Sequence, residues 1–373
     1  MDTLRVGIIG CGQICRVRHA PEYSENPRCQ IAGFYDVDPA RAQAMAKQYG
    51  GKAFDSVEAL LDADIDAVSV CSANTDHRRS AIMAMERGKH VLCEKPLAVS
   101  AQDCEDMLMV SRRTGMRLLV GHNQRMTPAH REAKRLISED AIGKILTFHT
   151  TFGHGGPEGW TGQPNPWFFH KSSAVLGVAA DLGIHKIDLY NYLTGDVITQ
   201  ASAFLATLDK KTPGGTPIQV DDNAMFILRT AGGALGAAHA SWTFYGSEDN
   251  STVLYGTQGV MKLYTDPVYS LIIEYRDGRV ERYATDRITT NAEQKAGKRR
   301  NTGVINEFVD NERTYRLVLC TVHINPKTDH FIRIRCTSTS KLGNNNEFMM
   351  DYLEIVPKSI YGVNTAGSME SDL

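Results

Sequence analysis

Residues 4–16, LRVGIIGCGQICR, carry an apolar run that stops at a glycine, turns, and continues into a segment of helical character. Gly10, Gly12 and Cys15 fill the three marked positions of a GxGxxG-type turn. The first glycine permits the tight bend, and the second lets backbone N–H groups approach a pyrophosphate at the positive end of the helix. The third position calls for a small residue, and cysteine in place of glycine or alanine predicts looser packing of helix on strand. Asp36 closes the next predicted strand, where its carboxylate can accept from both hydroxyls of a ribose and repel a 2′-phosphate. Val37 follows it rather than an arginine, although Arg41 could reach round to such a phosphate. The segment therefore predicts a dinucleotide site that takes NAD in preference to NADP.

Outward from this turn, short apolar runs alternate with amphipathic stretches as far as residue 122, the pattern of a parallel sheet covered by helices. Strands are expected at 5–9, 31–35, 67–71, 90–93 and 117–120, with helices at 40–49 and 80–87 among the connections. From about residue 143 the texture changes. Runs at 145–152, 199–206, 224–229, 234–242 and 271–275 alternate, and glycine-bearing turns at 231–233 and 277–278 join neighbours. That pattern predicts a largely antiparallel open sheet, interrupted by one helix at 179–193. The expected architecture is α/β plus α+β. A Rossmann domain, doubly wound on a parallel sheet, takes residues 1–122; an α+β domain for substrate and oligomerisation takes 123–311; a strand-rich tail takes 312–373. Towards that end, 286–301 is expected as a loop, 303–310 as a short helix, 330–336 as a half-buried strand and the GNNN run from Gly343 as a turn.

A chain of 373 residues exceeds one ordinary core, and two domains leave a cleft between them. The formal charge of −2 supplies no basic surplus for nucleic acid or an anionic membrane, so a small-molecule partner is expected. The eight cysteines form no CxxC pair and read as the reduced thiols of a cytoplasmic protein. Residues 4–10 already read as a buried strand with no charged-then-apolar stretch before them, and no apolar run is long enough to span a bilayer, so neither export nor membrane insertion is expected.

Two further stretches carry chemistry. Residues 88–97, GKHVLCEKPL, place Glu94, Lys95 and Pro96 at the end of a predicted parallel strand, the edge off which ligands bind in such sheets. A lysine there can exchange a proton with a substrate hydroxyl; taken by itself, it reads more readily as a surface turn. Residues 181–188, DLGIHKID, fall on the predicted helix. Asp181 and His185 are four apart, share a face, and can both point into the cleft near Lys95. A lone histidine at that place reads somewhat more readily as a satisfied core residue. Asp181, His185 and Asp188 lack a further ligand cluster at useful spacing, so no metal is expected.

The glycine turn, Ser72, Ala73, Asn74 and His77, the Glu-Lys-Pro triplet and the 181–188 motif, in this order, resemble the glucose-fructose oxidoreductase, inositol dehydrogenase and MocA family. The likeness covers about residues 1–311, and the tail does not match. The resemblance implies a metal-free, NAD(P)-dependent oxidoreductase that transfers hydride between the nicotinamide and a hydroxyl or carbonyl of a sugar, sugar derivative or cyclitol. It implies that Lys95 hydrogen-bonds the reacting oxygen, that His185 takes or gives its proton, and that Asp181 binds a neighbouring hydroxyl or orients the histidine. The cofactor would be held by Gly10, Gly12, Gln13, Ile14, Asp36, Ser72, Asn74, His77, Glu94 and Lys95. A cis Lys95–Pro96 bond and a homodimer or homotetramer belong to the same expectation. Asn123, Arg125, Trp167 and Lys171 are candidate substrate contacts; a solvated loop and an aromatic core cluster are equally good readings of them singly. Two departures stand out, the absence of a proline at Ala73 and the sequence Val175, Leu176, Gly177 where a glycine-rich approach to Asp181 is expected. Two other functions use the same features: an NAD-dependent glycoside hydrolase working by oxidation and elimination, and a non-catalytic dinucleotide sensor.

Overall fold

The computed structural model describes residues 3–286, the helical positions Val304, Ile305 and Phe308, and the strands His330–Arg335, Ser338–Thr339, Phe348–Met349 and Tyr352–Pro357. Six strands, β1 (Leu4–Ile9), β2 (Cys29–Tyr35), β3 (Lys52–Ala53), β4 (Ala67–Val70), β5 (His90–Cys93) and β6 (Leu118–Val120), form a parallel sheet in the order β3-β2-β1-β4-β5-β6. The order reverses between β1 and β4, which opens a crevice at their C-terminal ends. The five expected strands are all present. The sixth, β3, is two exposed residues long and carries no periodic pattern to read.

Both faces of this sheet are covered, as a parallel sheet requires. Ile9, Val68, Val70, Val91 and Cys93 pack in one core, and Val6, Ile8, Phe34 and Leu92 in the other, with Val304 and Ile305 joining the second. Local chemistry fixes the helix ends. Asp38 accepts from Ala40 N at 3.0 Å to start helix Pro39–Tyr49; Ser100 accepts from Asp103 N at 3.1 Å to start Ala101–Thr114, which Gly115 ends at φ 71°.

Among the described residues the second sheet has ten strands. They are β7 (Ile145–Gly153), β8 (Ile198–Ala206), β9 (Asn223–Thr230), β10 (Leu235–Ser241), β11 (Thr252–Gly256), β12 (Gly259–Leu263), β13 (Leu271–Tyr275), β14 (Val280–Tyr283), β15 (His330–Arg335) and, after a separate ribbon of β16 (Ser338–Thr339) and β17 (Phe348–Met349), β18 (Tyr352–Pro357). Their order is β14-β13-β12-β11-β7-β10-β9-β8-β15-β18. Every pairing is antiparallel except β7 with β10. The largely antiparallel expectation holds, and the tail's β15 extends the sheet edge alongside β8. Most of the expected 286–301 loop, the GNNN turn and the side chains of 330–336 lie outside the described residues.

Along β9 the burial alternates: Ala224, Phe226, Leu228 and Thr230 point inward, while Met225, Ile227 and Arg229 point out. The inner face meets helix Ile184–Thr194, buried over ten consecutive residues and therefore without a solvent face. Tyr190 stacks on Phe148 with ring centroids 3.9 Å apart, which locks this helix to the middle of the sheet.

Candidate active site

A cavity of about 750 Å³ lies where the end of the parallel sheet faces the second sheet's helix layer, lined from Gly10 and Asp36 at one end, past Lys95, to Trp167, Asp181 and His185. The two glycines are needed for different reasons. Gly10 has φ 94°, and a Cβ there would stand 2.6 Å from the Cys71 and Ser72 backbone, so protein packing demands it. A Cβ on Gly12 would meet no protein atom within 4 Å, so glycine there keeps space open for what enters the cavity. The helix that follows opens with Gln13 and Ile14 on the cavity wall and contains a π-helical turn, Cys15–His19. Cys15 begins that widened turn and is fully buried in the core, packed with Val6, Ile8 and Phe34.

Asp36 accepts from Cys11 N at 2.6 Å and from Asp38 N at 2.9 Å, which fixes its carboxylate at the end of β2. Further in, the Ser72 hydroxyl lines the cavity, enclosed and without a partner among the described residues. A buried orphan of this kind calls for a ligand group. The open cradle at Gly12, the anchored carboxylate and the waiting hydroxyl together fit an NAD-type dinucleotide.

The floor beneath Lys95 is tied down from several elements. The His77 ring lies between Pro96 O at 2.8 Å and Ser72 O at 3.1 Å, joining the ends of β4 and β5. Lys95–Pro96 is cis. Asn74 Nδ2 donates to Ala174 O at 3.1 Å, a link across to the segment that leads to Asp181. The Glu94 carboxylate accepts from Lys95 N at 3.1 Å and pairs with His19 at 2.8 Å. Burial opposes its ionisation, but the His19 bond and the charges of His19 and Lys95 outweigh it and hold the carboxyl below its ordinary value.

Lys95 Nζ donates to Asp181 Oδ1 at 2.7 Å and to Asp181 O at 3.1 Å, and Trp242 Nε1 donates to Asp181 Oδ2 at 3.1 Å. Two of the three ammonium protons are thus used, and one remains for a ligand oxygen. Asp181 sits in a second π-helical turn, Ala179–Gly183, which departs from the single α-helix expected over 179–193. It also makes no hydrogen bond to His185; its partners are Lys95 and Trp242. His185 lines the cavity, and its Nδ1 is enclosed with no partner among the described residues. Burial first, and then the charge of Lys95, pushes its pKa well below the usual range, so the ring is neutral and can accept a proton.

Of the candidate substrate contacts, Asn123 and Trp167 line the cavity. Arg125 does not: it is buried behind the wall and grips Asp188 with two nitrogens, Nε at 2.7 Å. Lys171 is exposed outside the cavity, its backbone N bonded to Gln219. Sequence reasoning overlooked Trp242, visible only as the last residue of an expected strand, and Asp221. The Asp221 carboxylate accepts from Gly177 N at 3.0 Å and Ala179 N at 2.8 Å and so caps the helix carrying Asp181. Gly177 is indispensable to that approach, since a Cβ would stand 1.9 Å from Asp221 O. Val175, at φ 65°, holds a left-handed conformation that a β-branched residue tolerates poorly, at the place where a glycine was expected.

A dinucleotide cradle that runs into a lysine–aspartate pair and a neutral histidine describes a Rossmann-type oxidoreductase. The model of an oxidoreductase family with an NAD-binding Rossmann fold matches residues 4–122, and that of the GFO/IDH/MocA C-terminal domain matches residues 130–262. The chain belongs to the GFO/IDH/MocA oxidoreductase family. It is 32% identical over 293 residues to levoglucosan dehydrogenase of Pseudarthrobacter phenanthrenivorans, covering 69% of this chain and 73% of that protein. It is 29% identical over 279 residues to inositol 2-dehydrogenase of Rhizobium meliloti, covering 74% and 80%. A solved levoglucosan dehydrogenase in complex with NADH and levoglucosan superimposes with a TM-score of 0.70 at 27% identity, over 83% of this chain and 89% of that one. Among the described residues no helix is long and apolar enough to cross a membrane, and no group of three His, Cys, Asp or Glu residues is placed to hold a metal ion.

Proposed function

We propose that this chain is a cytoplasmic NAD-dependent dehydrogenase that oxidises a hydroxyl of a sugar, sugar derivative or cyclitol, or reduces the corresponding carbonyl. The observation that carries the reading is the Lys95–Asp181 pair at the inner end of the cradle. When bound, NAD supplies the hydride acceptor. The side chains supply the rest. Lys95, held by Asp181 and Trp242, aims its remaining N–H at the reacting oxygen, where it stabilises developing negative charge. His185, neutral and with Nδ1 enclosed, takes the hydroxyl proton through Nε2. Asp181 orients Lys95 rather than His185 and keeps a carboxylate edge near the neighbouring hydroxyl. The named relatives are dehydrogenases, so oxidation followed by elimination is not favoured. The division into a cofactor domain over 1–122, a substrate domain over 123–311 and a tail over 312–373 accompanies this reading.

The test is to titrate purified protein with NAD and NADP, then follow reduced cofactor with aldoses, glycosides and cyclitols. At least tenfold tighter binding of NAD and accumulation of NADH with one polyol class are expected. Release of an aglycone without net NADH would sink the reading.

The outer face of the second sheet supports a homodimer or homotetramer. Phe204 (79% exposed), Ile227 (64%) and Met225 (59%) project from adjacent strands β8 and β9. Apolar groups in such a patch are covered in most soluble proteins. Phe204→Lys combined with Ile227→Lys should convert the assembly to monomers by light scattering; an unchanged mass would reject this face as the interface.

A further inference from the structure

The lysine that follows His185 has no part in the chemistry described so far. Lys186 is 1% exposed, and among the described residues its Nζ donates to neutral oxygens, Asn250 O at 3.1 Å and Thr252 Oγ1 at 3.4 Å. From β7 it meets the Phe152 ring, 5.9 Å from Nζ to centroid, and Thr150, whose hydroxyl lies 2.8 Å from that of Thr252. The ionisable groups that face it are His185 beside it, His130 from helix Pro128–Ser138, and Asp249 and Glu248 from the segment entering β11. Burial outweighs the attraction of those two carboxylates and pushes the lysine's pKa down to about 7. An ammonium buried on neutral acceptors lowers stability. A residue that opposes the fold next to a reacting group points to a duty in the site.

What Lys186 holds lies in the cavity wall. Asn250 and Gln124 are both buried and both line the cavity, and Gln124 Nε2 donates to Asn250 Oδ1 at 3.2 Å. Asn250 is thus gripped twice, at its carbonyl by Lys186 and at its side chain by Gln124. Gln124 comes from the turn Asn123–Met126 after β6, and its own carbonyl accepts from His130 Nδ1 at 2.6 Å. Its Oε1 is enclosed and has no partner among the described residues. An amide oxygen left in that condition in a cavity wall calls for a donor from a ligand, and a hydroxyl of a polyol supplies one.

Resting on the dehydrogenase reading, we propose that Lys186 is a positioning residue: from beneath the wall it holds the Asn250 carbonyl, so that the Asn250–Gln124 amide pair presents an acceptor to a substrate hydroxyl. Lys186→Met keeps the length of the side chain and removes the charge. Its urea midpoint at pH 7 should exceed that of the wild type, while its affinity for substrate falls. Calorimetric titration of the NADH-loaded protein with myo-inositol, glucose and methyl glucoside reads the second effect. The probe that binds the wild type most tightly should bind Lys186→Met at least tenfold more weakly, with NADH affinity changed less than threefold. Gln124→Met should lose a similar factor, and the double variant should bind within threefold of either single one, because both changes disable the same acceptor. Wild-type affinity should also fall at least threefold from pH 6 to pH 8.5, as the lysine gives up its charge, and this fall should be absent in Lys186→Met. Losses that add in the double variant, a urea midpoint lowered by Lys186→Met, equal affinity in wild type and Lys186→Met, or no binding of any of the three probes to the wild type would each overturn the proposal. Turnover is scored separately: a probe that binds in the expected pattern but never reduces NAD defeats the dehydrogenase reading and leaves the role of Lys186 in the wall standing.

Discussion

Lys95→Ala should lower kcat about a thousandfold, while NAD affinity, which rests on the glycine turn and Asp36, falls less than tenfold. Among the described residues the lysine is the only cation bonded to Asp181, through both its carboxylate and its carbonyl. Its loss therefore removes the donor to the reacting oxygen and leaves a mostly buried carboxylate with Trp242 alone. Such an uncompensated charge also lowers stability, by about 3 kcal/mol or more. Lys95→Arg separates the two effects. Arginine keeps the ion pair but does not release a proton and spreads its charge over a plane. This variant should hold most of the stability and still lose at least a hundredfold in kcat. Turnover by Lys95→Ala within tenfold of wild type would remove the lysine from the reaction.

Acidification from pH 7.5 towards pH 5 should destabilise the fold by several kcal/mol, before most carboxylates titrate. His122, His130 and His154 are buried, and burial is the first cause that pushes their pKa values down to about 4, about 3 and about 4. The unfolded chain takes up protons on these rings from about pH 6.5 downward, and the folded chain refuses them until pH 4 or below. Stability is thus fully present above pH 6.5, falls as pH drops through that window, and stops falling from this source once the folded rings titrate. Each histidine contributes up to about 1.4 kcal/mol per pH unit. Glu94, with its pKa held down, acts only lower, below its unfolded value. Urea midpoints at pH 7.5, 6.0 and 5.0 read the slope directly; a flat profile would mean the rings are hydrated or already protonated.

The first half of the fold was legible because its signals are local. A parallel strand buried on both faces is a short apolar run, and the glycine turn and Asp36 announce themselves within a few residues. Lys95, Asp181 and His185 were legible as a set, since two motifs far apart in the chain meet only if the domains face each other. Arg125 and Lys171 were misplaced because a charged residue near a strand end looks the same whether it faces a ligand, as Asn123 does, or a buried partner such as Asp188. Trp242 and Asp221 had no local signature. Their importance arises from register in the second sheet, where β9 and β10 bring them under the helix that carries Asp181. The π-turns were invisible to a reading based on a period of 3.6, which assigns one continuous helix to 179–193.

That last departure has a consequence for how the site tolerates change in length. A π-turn is an α-helix that has absorbed one extra residue, so excising a residue within Ala179–Gly183 would return the segment to the ordinary hydrogen-bond ladder. The helix itself would gain regularity. Everything before the deletion would swing by about 100° relative to helix Ile184–Thr194. The pincer on Lys95 made by the Asp181 carboxylate and carbonyl would open, and the Asp221 clamp on Gly177 and Ala179 would be pulled out of line. In this protein the reacting pair depends on a stored irregularity in helix length, and a more perfect helix would be a poorer enzyme.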